Sequence, residues 1–241
     1  VRRFLVFPFF IFFFLFFLSE KSFALNFQDS LNPELISSTR ALGMAHSFVS
    51  LTDDSTAPFY NPAGLGSTRS WQFHLSNLQL QFDQKIMSTV LNGGFTQAGQ
   101  LGQMMSLTGN KEYLLSNPGE MLGQEMQFAP HFLTRYLSFG FLYRSRSRSA
   151  LGTGTNDLFE YAQRTDYGPY MGINISLFGG IIKFGATGFY LTRTETFGEQ
   201  AKEESFSLNE ENTKQGLALV GTAGFKFTLP IAFLPTIALS Q

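Results

Sequence analysis

The chain has 241 residues, a formal net charge of −1 and no cysteine. Near-neutral charge gives no basic footprint for nucleic acid, and the missing cysteine excludes disulfides, thiolate catalysis, Cys-ligated metals and a lipid anchor on an N-terminal Cys. With 29 Phe and 23 Gly, the composition is unusual for a soluble enzyme and ordinary for a β-barrel that shows aromatic side chains to lipid.

Residues 1–24 read as a secretory signal peptide. Arg2 and Arg3 form a basic end, Phe4 to Leu18 is apolar, and Ser22-Phe23-Ala24 places small residues where a signal peptidase reads. A membrane helix is the alternative, but the run is shorter than the about 20 residues that crossing takes and contains Pro8. Export with a mature N-terminus at Leu25 is the expectation. No later run approaches membrane-helix length, so a mature chain that spans a membrane must do so with strands.

Leu25 to Thr39 is polar with scattered apolar residues. From Arg40 to Gly66 the sequence runs RALGMAHSFVSLTDDSTAPFYNPAGLG. Asp53 or Asp54 can cap a short helix starting near Ser55, because a carboxylate accepts orphan N–H groups and faces the positive end of the helix dipole. Pro58 and Pro62 cannot continue a strand ladder, which predicts turns and short helices here. Gly64 and Gly66 permit positive φ or close packing against a wall. A capped surface loop has the same local chemistry.

Arg40-Ala41-Leu42-Gly43-Met44, then Asp53-Asp54, then Tyr60-Asn61-Pro62-Ala63-Gly64-Leu65 resembles the start of mature outer-membrane barrels of the long-chain fatty acid transporter (FadL-type) superfamily. That superfamily includes the type IX secretion shuttle (PorV-type) barrels. The resemblance implies that residues 25–69 are a periplasmic lead-in and a plug folded inside a barrel, with Arg40, Gly43, Asp53, Asp54, Asn61, Pro62, Ala63 and Gly64 as the plug motif. The close match is confined to this stretch, and the rest of the chain agrees in pattern only.

Residues 70–241 carry the strand patterns. Trp71, Phe73 and Leu75 alternate with Gln72, His74 and Ser76 as far as a phase slip near Asn77-Leu78, the mark of a bulge. Residues 84–126 lose the alternation and read as a short helical insertion, with apolar residues at helical spacing. Phe95, Leu101, Met104, Met105 and Met121 make it a soft apolar surface for hydrophobic ligands, or simply the packing of helices onto the strands. Further strands are predicted at Gln127–Thr134, Tyr136–Leu151, Leu158–Arg164, Tyr167–Phe178, Ile181–Phe197, Gly216–Leu229 and Thr236–Ser240. Phe178-Gly179-Gly180 is a tight turn, while Gly198–Gln215 reads as a long polar loop on the outer side. The fold expected is all-β: a transmembrane antiparallel barrel, partial or small, with an N-terminal lumenal plug. A soluble sandwich shares the two-residue period, but Tyr136–Leu151 and Ile181–Phe197 exceed the about 5–6 residues of ordinary strands.

Arg144, Arg146 and Arg148 alternate with serines and share one strand face, opposite Phe139, Phe141 and Tyr143. They are candidates for rim contacts with carboxylates or lipopolysaccharide phosphates, or a solvated strand extension. His46, His74 and His131 are isolated, with no metal-ligand spacing, and no Gly-x-Ser-x-Gly elbow is present. The pattern points to no metal, no cofactor and no enzyme. Barrels of the resembled superfamily are longer and usually end on an aromatic residue, whereas Ile237 to Gln241 stops inside a strand pattern, which reads as C-terminal truncation.

The functional expectation is passive transport of hydrophobic compounds, such as long-chain fatty acids, across a Gram-negative outer membrane. Implied partners are outer-membrane lipid and lipopolysaccharide, hydrophobic small molecules and the barrel assembly machinery. The alternatives are a PorV-like barrel that binds exported proteins and a soluble periplasmic β-protein.

Overall fold

The computed structural model describes residues 36, 38–45, 47–75, 77–84, 86–88, 106–152, 158–207, 212–231 and 234–241. The signal segment, His46 and the candidate ligand residues Phe95, Leu101, Met104 and Met105 lie outside them. The rest is mostly antiparallel sheet. No helix among the described residues is long and apolar enough to cross a membrane, which says nothing of crossing with strands.

The strands are β1 (Gln72–His74), β2 (Gln79–Phe82), β3 (Met121–Phe128), β4 (His131–Leu133), β5 (Leu137–Leu151), β6 (Leu158–Leu177), β7 (Ile182–Ala201), β8 (Thr213–Thr228) and β9 (Thr236–Ser240). They form one open antiparallel sheet. β5 to β9 follow one another as neighbours, and the far edge of β5 is shared end to end by β3 and β4, which pair in turn with β2 and β1. β6 and β7 have 20 residues each. At about 3.3 Å per residue they extend well beyond the 3–10 residues of most globular strands.

Between His74 and Gln79 the first strand takes one more step than its partner takes between Gln127 and His131, so the expected bulge is present. Its effect is to keep Trp71, Phe73, Leu75, Leu78 and Leu80 exposed on a single face. The turn from β6 to β7 closes over Phe178–Gly180, with Gly179 at φ 72° and Gly180 at φ 97°, left-handed values that glycine adopts without strain.

Three expectations need correction. The spacing predicts a helical insertion that runs to Met126, but Met121 opens β3, and of that region α3 spans Leu107–Ser116, with further helical residues at 84 and 86–88. Leu122, Gln124, Met126 and Phe128 alternate with Gly123, Glu125 and Gln127, a two-residue period outweighed by spacing across Asn117-Pro118-Gly119. The gap expected between Arg164 and Tyr167 does not exist, because unbroken pairing to both neighbours carries β6 through Asp166. The polar loop is also shorter than expected, since Gly198–Ala201 and Thr213–Gln215 are paired strand.

The sheet buries a different face at each end. One face carries residues 36–68, which include α1 (Thr39–Gly43), α2 (Ala57–Tyr60) and a 3-10 segment (Pro62–Ser67). Here Ile36 and Phe59 pack with Leu142, Tyr170, Phe189 and Leu191. At the other end α3 covers the opposite face, where Leu107 and Leu114 pack with Leu122, Leu151, Phe159 and Tyr161. Register proves the reversal. β6 and β7 pair without a slip from Phe159 to Tyr170, so Tyr161 and Tyr170 point to opposite sides. Each large apolar side chain buried this fully contributes about 1.5–3 kcal/mol. Lys111 of α3 donates to the carbonyls of Ala201 and Glu204 and lies over the Phe159 ring, which fixes the helix to the end of β7.

Candidate functional site

The segment 36–68 is held to the sheet through the residues of the sequence motif. Arg40 Nη1 reaches Asp53 Oδ1 at 2.7 Å and Asp54 Oδ2 at 3.1 Å, and its guanidinium lies over the Phe48 ring. Asp54 Oδ1 accepts from the backbone N–H and the hydroxyl of Thr56. It therefore makes a turn before α2 rather than capping a helix at Ser55, and α2 starts at Ala57. Gly43 ends α1 in open space.

Asn61 is fully buried and joins three pieces of chain. Its Oδ1 accepts from Ala63 N, which starts the 3-10 turn, and its Nδ2 donates to the carbonyls of Val49, at 3.1 Å, and Phe225 in β8, at 3.4 Å. Pro62 follows at the first position of that turn, where its missing N–H has no role to lose. Gly64 and Gly66 provide close approach, not positive φ. A side chain at Gly64 would collide with the Thr52 carbonyl, and one at Gly66 would stand 2.6 Å from Ser176 Oγ and 2.8 Å from Asn174 Nδ2.

The sheet answers with glycines of its own. Gly185 of β7 faces Pro62 and Ala63, and Gly224 of β8 faces Asn61 and Pro62, each at a distance that leaves no room for a Cβ. Two lysines complete the seat: Lys183 Nζ donates to Ser67 Oγ at 2.9 Å and Lys226 Nζ to the Thr52 carbonyl at 3.2 Å. None of these four sheet residues was marked by the sequence pattern, where they read only as the polar, small face of two strands.

Above this seat, on the same face, lies a belt of charge. Arg144 makes a bidentate pair with Glu125, at 2.9 and 3.1 Å, and both side chains are 7 % exposed. Arg193 pairs in the same way with Asp166, at 2.6 and 3.1 Å, and Arg164 reaches Glu195 at 2.7 Å. Arg144, Arg146 and Arg148 do share one face as expected, the face that carries residues 36–68. A cleft of about 160 Å3 opens beside Arg146 and Arg148, over Gly123, between Asp83 and Glu125.

Of the other candidates, Met121 stands half-exposed at the sheet rim, away from the seat. His74 and His131, isolated in sequence, stack with ring centroids 4.7 Å apart across β1 and β4. Among the described residues no three acidic or histidine side chains converge as a metal site.

The opposite face is apolar and open. Leu137, Phe139, Phe141, Met171, Ile173, Ile175, Leu177, Phe184, Tyr190, Leu217, Leu219, Ile237 and Leu239 are all exposed there. The band ends at Tyr143 and Tyr167, which are direct partners. Beyond it comes a collar of hydroxyls, in which Ser145 bonds Thr165 at 3.2 Å and Thr196 bonds Thr213 at 3.1 Å.

No protein-family model, curated protein or solved structure matches the chain. What fold and site define is a class: an antiparallel sheet of long strands, apolar and exposed on one face, with an N-terminal segment seated on the other.

Proposed function

We propose that this sheet is the wall of an outer-membrane β-barrel, that residues 36–68 are its lumenal plug, and that the protein mediates passive passage of hydrophobic compounds such as long-chain fatty acids. The observation that carries the membrane reading is the exposed apolar band. On β6 it runs from Tyr167 to Leu177, the length that a tilted strand of about 9–11 residues needs to cross hydrocarbon. A tyrosine row and then a hydroxyl collar bound it, in the order that an interface and water would select. A soluble protein rarely leaves so large a patch uncovered.

Passage follows from the plug seat. Phe59 and Ile36 meet Leu142, Tyr170, Phe189 and Leu191 in an apolar belt across the lumenal face. A plug that shifts presents this belt to a hydrophobic solute, which needs no energy source to partition into it. The motif resemblance supports the same assignment.

Fractionation of the tagged protein tests the first half. The expected result is recovery in outer membranes and release only by detergent, while release by salt or alkali alone overturns the membrane wall. Uptake of a fluorescent long-chain fatty acid by cells making the protein tests the second. Uptake no higher than in control cells, with an exported protein co-purifying instead, favours the protein-binding alternative.

A further inference from the structure

Four of the buried polar atoms that lack a hydrogen-bond partner fall in two adjoining rungs of the face that carries residues 36–68. His131, Gly140 and Tyr170 are successive direct partners across β4, β5 and β6, and Ser138, Gly172 and Thr187 are successive partners across β5, β6 and β7. In each rung a glycine stands between two polar side chains. His131 Nε2, Tyr170 Oη, Ser138 Oγ and Thr187 Oγ1 bond to nothing, and each of the four residues is at most 3 % exposed. A buried polar group left dry costs free energy, and native interiors leave few of them. Four in two rungs mark a place built for an occupant.

The second rung has the room. A Cβ on Gly172 would stand 2.6 Å from Ser138 Oγ and 2.7 Å from Thr187 Oγ1. The two hydroxyls do not bond each other, so the absent side chain leaves a cradle that one oxygen can bridge with two hydrogen bonds. The surrounding chemistry is neutral. His131 Nδ1 lies 2.7 Å from the Ala129 carbonyl, so Nδ1 carries the proton and Nε2 is left as an acceptor. The three hydroxyls can donate or accept. No lysine, arginine or carboxylate stands in either rung from β1 to β8. Within residues 36–68, Arg40 is joined to Asp53 and Asp54. A carboxylate placed here would lose its water with no cation to replace it.

We infer that these two rungs are a head-group site for a neutral, hydroxylated amphiphile such as a long-chain alcohol. The inference rests on the proposed passage of hydrophobic compounds and names which of them the site prefers. Tyr170 belongs to both parts. Its ring packs on Phe59 and Phe189, at 4.8 and 5.5 Å, inside the apolar belt, while its hydroxyl is one of the four open atoms. A chain lying on the belt therefore ends beside the open hydroxyls. A neutral O–H group suits them, because it donates to one acceptor and accepts from another donor. A hydrocarbon leaves all four atoms unpaired, and a carboxylate has no proton to offer His131 Nε2.

The test is calorimetric titration of the full-length protein, folded in detergent at pH 8, with 1-octanol and separately with octanoate, each against protein-free micelles. Saturable octanol binding is expected, with octanoate weaker by about tenfold or more. Ser138→Ala and Thr187→Val delete the bridging hydroxyls and keep the shape. Each should weaken octanol about fivefold and leave octanoate unchanged. Both variants should fold, because each removes a polar group that bonds to nothing. Gly172→Ala fills the cradle and should weaken octanol further, whereas Gly188→Ala, with nothing within 4 Å of its added Cβ, should match wild type. Equal affinity for octanol and octanoate, or wild-type octanol affinity in both hydroxyl variants, overturns the head-group site and leaves the belt as the binding element. Saturable octanol binding by a protein that gives cells no uptake of fatty acid keeps the site and rejects passage.

Discussion

Gly185 of β7 and Gly224 of β8 are direct cross-strand partners, and Asn61-Pro62 is seated over them. Neither glycine has a positive φ. Both are needed for space, because the backbone of Asn61 to Ala63 lies against the sheet where two adjacent Cβ atoms would otherwise stand. The pair is a shallow notch in the sheet, fitted to the turn.

Replacement of Gly185 by Leu should therefore displace the segment 36–68 while leaving the sheet paired. A loss of about 1–3 kcal/mol is expected from overpacking, with faster cleavage by protease within residues 36–68. Gly216→Ala, at a β8 glycine with nothing within 4 Å of its added Cβ, is the matched control and should be neutral. Equal protease resistance in wild type and Gly185→Leu would remove the notch from the account.

Asn61→Ala should lower stability by about 1–3 kcal/mol, since it strands the buried Ala63 N–H and two carbonyl acceptors lose a donor. Asn61→Asp is the sharper probe. It keeps the shape and the contact to Ala63 N but sets a carboxylate against the Val49 and Phe225 carbonyls. Denaturant midpoints should fall further for Asp than for Ala, and a midpoint at wild type for both would deny Asn61 its linking role.

Glu125 and Arg144 offer a double-mutant cycle. Glu125→Leu alone leaves a buried guanidinium without its carboxylate and is expected to cost about 3 kcal/mol or more. Glu125→Leu with Arg144→Leu removes both charges and should recover much of that loss. Additive losses in the cycle would mean that the pair contributes nothing as a pair.

Much of this architecture was legible beforehand, and the missing parts have a common cause. Period-two patterning located Leu137–Leu151 nearly to the residue and the start of Ile182–Ala201, whose last four residues were read as loop, and the phase slip at Asn77 announced the bulge. Patterning is local, however. Which residue of β7 opposes which of β8 is set by turn and ladder together, so nothing in the sequence pairs Gly185 with Gly224. Glu125 was hidden for a different reason. It stands in a strand of eight residues whose apolar members resume at helical spacing from Leu114 and Leu115, and the longer period overrode the shorter one. Arg144 therefore reads from the sequence as a rim contact or part of a solvated strand extension, whereas its carboxylate partner lies one strand away.

Ile173→Arg tests the face opposite residues 36–68. Ile173 is half exposed, so in water the substitution should change stability by no more than about 0.5 kcal/mol. Against hydrocarbon the same arginine costs about 2–4 kcal/mol near the midplane. The membrane wall predicts sharply reduced assembly in lipid vesicles, with Ser145→Arg in the hydroxyl collar far better tolerated. Equal assembly of Ile173→Arg and wild type would contradict it.

The bulge between His74 and Gln79 has a consequence for how the gene can change. A strand has a frame of two, so loss of one codon within β6 would turn Met171, Ile173 and Ile175 to the face that carries residues 36–68 and their polar neighbours to the apolar face. Among the described residues the first strand alone carries a spare step. Deleting Asn77 would bring Gln72–His74 and Gln79–Phe82 into one register on β3 and β4, with Trp71, Phe73, Leu75, Leu78 and Leu80 still on their original side. A one-residue deletion, ruinous at almost any other place in these strands, is here absorbed as a straightened edge.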